Sequence, residues 1–594
     1  MHAPGDGGIP MNMVYSAFET TFEFTPEPFE TSLRIVKIDD HPEFFRLPTL
    51  YGADHGSQRF SPGALMPMTL PVPVSAGLEL EMPVIDAHSG QPMDARTGLA
   101  SLLRAGQGQA VATPCSDASG FDPATVLPVA IDGAWGTTGF DNGYNNIEVA
   151  FAPVHRSSRG LLNPLAETVF SHLAALDSAL AEVGMALTNF SEHPATEVSP
   201  HFYRQMRAPK RIYDHWVTSR GWDHAVGIDA KAQNGPTTGV AVDDATRALN
   251  LILLASPMLI AIHANSPFEA GRPSGLSENR LSMWPRMFRH ARHAGDLRLC
   301  QPPTEPFADL GAYFRWMFAN DTAIHAFGLP GQDYKSLDDL YEAENAPPLL
   351  RFLAADRWRA TALGGGPDIE VTPSLTYLEH MQFAQFLDAR IRFGLATDVA
   401  GETGLTREFL AAVNGDQPRR VEHLFATLCT FIYIEGRAAG ANLPDRDIRE
   451  HAGDSVAASM VMGPSAIQAG LLAHPDAWER LASRIPWSHL DGLRDAAIRS
   501  GMGGRYRSLA LRELCELVLG LATEGLESDE QWMLDYPIHV LECGQNGADR
   551  ARAFVAEGKG PLHERLLALT TRRTMNVSGP PIEIPTGSVT AAAN

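Results

Sequence analysis

Residues 77 to 82 read Gly77-Leu78-Glu79-Leu80-Glu81-Met82, and strict alternation of apolar and charged side chains is the period of a strand with one buried face. Both glutamates therefore project to the same side, and His88-Ser89-Gly90 supplies the turn that follows. On its own such a pair is usually a solvated strand face. A second alternating stretch changes that reading: Tyr144 to Phe151 sets Asn146, Glu148 and Ala150 on one face and Ile147, Val149 and Phe151 on the other. With Asp141 in the lead-in loop, Glu79, Glu81, Asp141 and Glu148 are expected to converge on one concave sheet face. Four such carboxylates are tenable together when cations lie between them. Hard oxygen donors point to Mg²⁺ or Mn²⁺ and away from zinc.

Helices follow the strands. Leu165, Val169, Leu173, Leu176 and Leu180 recur at three- and four-residue steps, which predicts a helix from about Leu161 to Val183 with Gly184 as its stop. A second helix is expected over Ala245 to Ile262, and a strand-like segment near Phe386 to Phe393. Beyond about Arg407 the chain reads as mostly helical, with amphipathic stretches at Val421 to Ile434, Asp476 to Leu481 and Leu509 to Leu521. Strands first and helices later predict an α+β fold with a segregated antiparallel sheet. Regular βαβ alternation, a phosphate-binding Gly-rich loop and internal repeats are not found. The expected organisation is an N-terminal extension over 1–74 with one or two short strands, a sheet domain over 75–400, a helical part of the same fold over 401–574, and a tail over 575–594.

Composition narrows the partners. The 594 residues hold 47 Lys and Arg against 70 Asp and Glu, a net charge of −23, so the average surface repels nucleic acid and anionic lipid. Apolar residues at 44% and charged residues at 20% are the balance of an ordinary globular protein. Five scattered cysteines (Cys115, Cys300, Cys429, Cys515, Cys543) lack metal or redox spacing. The first residues lack the pattern of a signal peptide, and the apolar run from Leu249 to His263 is too short and interrupted for a bilayer. A cytoplasmic protein without a membrane partner is the expectation. The histidines, His193 and His263 among them, show no ligand spacing and read as structural.

The run from Ala248 to His263 ends in Ala264-Asn265-Ser266-Pro267-Phe268, then Gly271-Arg272-Pro273, Arg280 and Trp284. This loop collects an amide, a hydroxyl and two guanidinium groups, which suits an anionic small molecule. It closely resembles the Ala-Asn-Ser-Pro-Phe signature of the glutamate-cysteine ligases, in the glutamine synthetase superfamily. Gly77-Leu78-Glu79-Leu80-Glu81 resembles the Gly-x-Glu-x-Glu strand of that superfamily, with Asp141, Glu148 and Ser191-Glu192-His193-Pro194 in the expected order. Phe386-Leu387-Asp388-Ala389-Arg390 looks like the Tyr-Leu-Glu-Met-Arg strand of the plant-type ligases. The C-terminal helices ending at Gly525-Leu526 and restarting near Ala548-Asp549 extend the likeness to about residues 75–560.

The resemblance implies a curved antiparallel sheet forming a funnel, with helices outside, and ATP-dependent ligation of a carboxylate to an amine through an acyl phosphate. The implied reaction joins glutamate to cysteine, in glutathione biosynthesis. It implies metal ligation by Glu79, Glu81, Asp141, Glu148 and Asp388, with Mg²⁺ or Mn²⁺ on the ATP triphosphate. Arg390 would contact phosphate, and Arg280 with Asn265 and Ser266 would hold a substrate carboxylate. Two departures stand out. Pro236 to Val242 lacks the His or Gln expected before the loop, leaving Gln233 or Asn234 as substitutes, and Asp388 is one methylene shorter than Glu. The same chemistry on other substrates, and a non-catalytic ATP-binding relative, are the alternative readings.

Overall fold

The computed structural model describes residues 73–111, 128–318, 321–329, 340–382, 385–396 and 400–577, together with the backbone of a two-stranded antiparallel ribbon, Thr20–Glu23 with Arg34–Lys37. The rest of the expected extension, Cys115 and residues 578–594 of the expected tail lie outside the described residues.

The sheet follows from the alternating segments. Its strands are β1 (Ser75–Asp86), β2 (Gln109–Val111), β3 (Ala130–Gly133), β4 (Gly136–Gly139), β5 (Asn146–His155), β6 (Met185–Leu187), β7 (Asn234–Gly239), β8 (Ala389–Leu395) and β9 (Cys429–Gly436). All pairings are antiparallel, in the order β8-β9-β7-β1-β5-β4-β3-β2, with β6 beside the end of β1. The expected α+β fold with a segregated antiparallel sheet is therefore present. Leu78, Leu80, Met82 and Val84 of β1 and Ile147, Val149 and Phe151 of β5 are buried on one face. Glu79, Glu81 and Glu148 take the other, as period-two alternation requires.

Helices cover the apolar face. α1 (Leu162–Ala181) packs against β5 and β6, α2 (Ala245–His263) against β8 and β9, and α3 (Asp454–Ala473) against β7 and β1. α4 (Leu490–Ser500) and α5 (Leu511–Gly525) form a second layer on α2, and α5 also packs on α3. A helix that is apolar all round belongs in the core. Val242–His263 and Asp454–Ala473 are both long and apolar enough to cross a membrane, yet 94% and 89% of their most apolar windows are buried in the protein. Length was thus the wrong ground for setting the first aside; its burial makes it a core helix.

Glycine permits a close contact between α3 and α5. A Cβ on Gly470 of α3 would lie 2.3 Å from the Ala522 carbonyl oxygen, and one on Gly525 would lie 2.0 Å from the Gly470 carbonyl oxygen. Two short helices, α6 (Gly547–Glu557) and α7 (Leu562–Arg572), come last among the described residues. The expected helix over Val421 to Ile434 is corrected: Arg420–Leu428 is helical, but Cys429–Gly436 is strand β9, inserted between β8 and β7.

Candidate active site

On the sheet face opposite the helices, Glu81 of β1 lies directly opposite Glu148 of β5, with Glu79 two residues along. One carboxylate oxygen from each of the three lies within 4.8 Å of the other two. Directly opposed like charges destabilise a sheet, so the arrangement suits a hard divalent cation, and three carboxylates are the right donor type for Mg²⁺. Burial pushes the Glu81 carboxyl upward, opposed chiefly by Lys231 and Arg437, while Asp141 adds to the rise. Asp141 stands near the trio without joining it: its carboxylate accepts from Lys210 at 3.1 Å, from the Tyr213 hydroxyl and from the Asn142 amide.

The basic half of the site comes from the far side of the sheet. Arg390 of β8 pairs in register with Glu435 of β9. Its guanidinium grips that carboxylate through Nε to Oε2 at 2.9 Å and Nη2 to Oε1 at 2.8 Å, while Arg437 Nη1 reaches Oε1 at 2.7 Å. Burial would raise the Glu435 carboxyl, but Arg390 and Arg437 hold it well below the usual carboxylate range. Arg437 in turn feels Glu79 and Glu81, which ties the two halves together. Lys231, nearly buried, is lowered to about 8 by burial against the opposing pull of Glu81. Gln233 donates toward Glu81 Oε1 at 3.4 Å. Of the two substitutes expected there, Gln233 faces the site, and Asn234 turns to the helix side, donating to the Asn442 carbonyl at 3.0 Å.

Four expected site residues take partners outside the acidic trio. Asp388 precedes β8, and its carboxylate is drawn to the helix side by Arg494 of α4, Nε to Oδ2 at 2.6 Å and Nη2 to Oδ1 at 2.9 Å, with Ser256 of α2 donating at 3.3 Å. It does not join the acidic trio. Asn265 is fully buried: its amide donates to the Ala441 carbonyl at 2.7 Å and Asn189 Oδ1 at 2.9 Å, and its oxygen accepts from Arg573 at 2.8 Å. Ser266, also buried, accepts from the Arg280 backbone N–H at 3.1 Å. Arg280 spends its guanidinium inside the protein, on Glu278 at 3.0 Å, Gln233 at 3.3 Å and the Arg437 and Ala438 carbonyls at 3.1 Å each. The loop thus clamps several segments together, and Arg280 still acts electrostatically on Glu81 and Lys231.

The residues that sequence reasoning missed had a signal. Phe431, Tyr433, Glu435 and Arg437 alternate with Ile432, Ile434 and Gly436, a strand period dense in aromatic and β-branched side chains.

Compared with known proteins, residues 75–323 match the family model of glutamate-cysteine ligase family 2. The likeness to that family lies in this segment. It contains the acidic trio, Lys231 and the clamp loop, and it covers the first half of the expected 75–560 span. No curated protein matches the chain. Among solved structures, a glutamate-cysteine ligase from Francisella tularensis in complex with AMP is similar at 11% identity and a TM-score of 0.43, over 87% of this chain and 90% of that one. A bifunctional glutathione synthetase from Pasteurella multocida is similar at 11% identity and a TM-score of 0.39, over 84% of this chain and 51% of that one.

Proposed function

We propose that the chain is an ATP-dependent carboxylate-amine ligase, joining the side-chain carboxylate of glutamate to the amino group of cysteine. The observation that carries this reading is the convergence of Glu79, Glu81 and Glu148 within 4.8 Å, inside the segment matched by the ligase family. Those three residues would hold Mg²⁺, with Asp141 beside them, and the ion when bound would offset the charge of a triphosphate. Glu435 fixes Arg390 and Arg437 so that both guanidinium groups are set in place before substrate arrives, the preorganisation that electrostatic catalysis needs. Arg437, bonded to Glu435 and acted on by Glu79 and Glu81, would meet phosphate oxygens, where bidentate geometry favours arginine. In the overall reaction the substrate carboxylate takes the terminal phosphoryl group, and the amine then displaces phosphate.

The test is incubation of the purified protein with ATP, MgCl₂, glutamate and a panel of amines, with ADP release and product masses recorded. The expected product is the glutamate-cysteine amide. Ligation of other amines alone moves the protein to a different substrate, and absence of ADP release with every amine overturns the ligase reading. Glu81→Gln removes a central carboxylate with little change of shape and is expected to lower turnover by on the order of a hundredfold, with its unfolding transition preserved. Full activity in that variant removes Glu81 from the metal set.

A further inference from the structure

Arginine supplies nearly all the positive charge of this chain: of 47 basic residues only five are lysines, Lys37, Lys210, Lys231, Lys335 and Lys559. Lys231 is 5% exposed, three residues ahead of β7, with its Nζ 4.2 Å from the centroid of the Trp284 ring. Its ammonium makes no hydrogen bond or ion pair with any described residue. Its backbone is pinned: the carbonyl accepts from the Asn146 amide, and the residue bridges to Glu192. A buried cation without an oxygen acceptor is costly, and the aromatic ring supplies only part of what water would. Trp284 closes one side of the ammonium, and the charged groups acting on it from elsewhere are Glu81, Arg437, Asp141 and Arg280.

We infer that Lys231 is a substrate-binding residue, donating its ammonium hydrogens to an anionic oxygen, phosphoryl or carboxylate, of a molecule seated against the acidic trio. The inference rests on the ligase reading for the location of the site. A compact ammonium with three rotatable donors can serve such an oxygen as a point charge, whereas a planar guanidinium would need its fork aligned with it.

Calorimetry on the full chain in MgCl₂ tests it, with tripolyphosphate titrated in one series and glutamate in the other, for the wild type and Lys231→Gln. The expected result is binding at least about tenfold weaker for one probe and unchanged for the other, the scale of a lost charge-assisted hydrogen bond. Loss confined to tripolyphosphate assigns a phosphoryl oxygen, and loss confined to glutamate assigns a carboxylate. Unchanged affinity for both, or equal weakening of both as a merely structural lysine would give, overturns the inference. Lys231-dependent binding in a protein that shows no ligase turnover leaves this assignment standing and removes the ligase reading alone. If the variant does not fold, acetylation of wild-type lysines mapped by mass spectrometry replaces it. Slower modification of Lys231, but not of Lys559, in the presence of either probe supports the inference, and identical rates with and without both probes overturn it.

Discussion

Glu79, Glu81 and Glu148 were legible because a strand's period is two and needs no knowledge of distant partners. Asn265, Ser266, Arg280 and Asp388 were not, since the side to which each turns is set by residues far along the chain. Arg494 captures Asp388 from 106 positions away, and Arg573 reaches Asn265 across 308. Glu192 shows how strongly such surroundings act. Burial, with the nearby charge of Glu269, pushes its carboxyl up to about 8, while the Asn279 amide donates to it at 2.8 Å. Between the ordinary glutamate value and about 8 the folded protein keeps a proton that the unfolded chain has lost. Stability from this group is thus fully present below the ordinary value and declines as pH rises through the window. Glu192→Gln preserves the neutral shape, so its melting temperature should fall less than that of the wild type between about pH 5 and pH 8. Parallel slopes would show that Glu192 is ionised throughout.

At the level of the element, helices α1, α2 and α5 were readable from three- and four-residue spacing, within the few residues by which helix ends vary. β9 was not: the amphipathic helix just before it runs into the strand without a Gly or Pro break, and the helical period was carried too far. The sheet also depends on a helix that the sequence does not place. Gln468 of α3 donates to the Pro236 and Ile434 carbonyls at 3.2 and 3.1 Å, linking β7 to β9 from behind. That reach requires α3 to be held at a fixed height, and its close crossing with α5 holds it. Gly470→Ala would place a methyl group 2.3 Å from a backbone oxygen, forcing the two helices apart at about 1–3 kcal/mol. A lower urea midpoint with an unchanged slope is the expected result; an unshifted midpoint would mean that the crossing is looser than described.

Across the whole molecule, the clamp loop is where the two ends of the fold meet. Arg573, just after α7, is 1% exposed and bonds Asn265 at 2.8 Å, the Gly547 carbonyl at 3.2 Å and Asp445 at 3.4 Å. Arg573→Ala should leave Asp445 and Asn265 short of a partner and cost about 3–5 kcal/mol, the scale of breaking a buried ion pair from one side. Denaturant unfolding measures this, and a loss below about 1 kcal/mol, as for an exposed pair, would show that Arg550, 3.5 Å from Asp445, carries the clamp alone.

The strand order has a consequence for the growing polypeptide. β1 and β5 emerge early, yet β9, inserted between β8 and β7, carries Glu435 and is followed at once by Arg437. At 5–20 residues per second, roughly the pace of synthesis, the acidic trio would wait on the order of tens of seconds for its guanidinium partners. During that interval the nascent chain holds three crowded carboxylates and neither Arg390 nor Arg437. A ribosome-bound fragment could collect a cation long before it could spend a nucleotide.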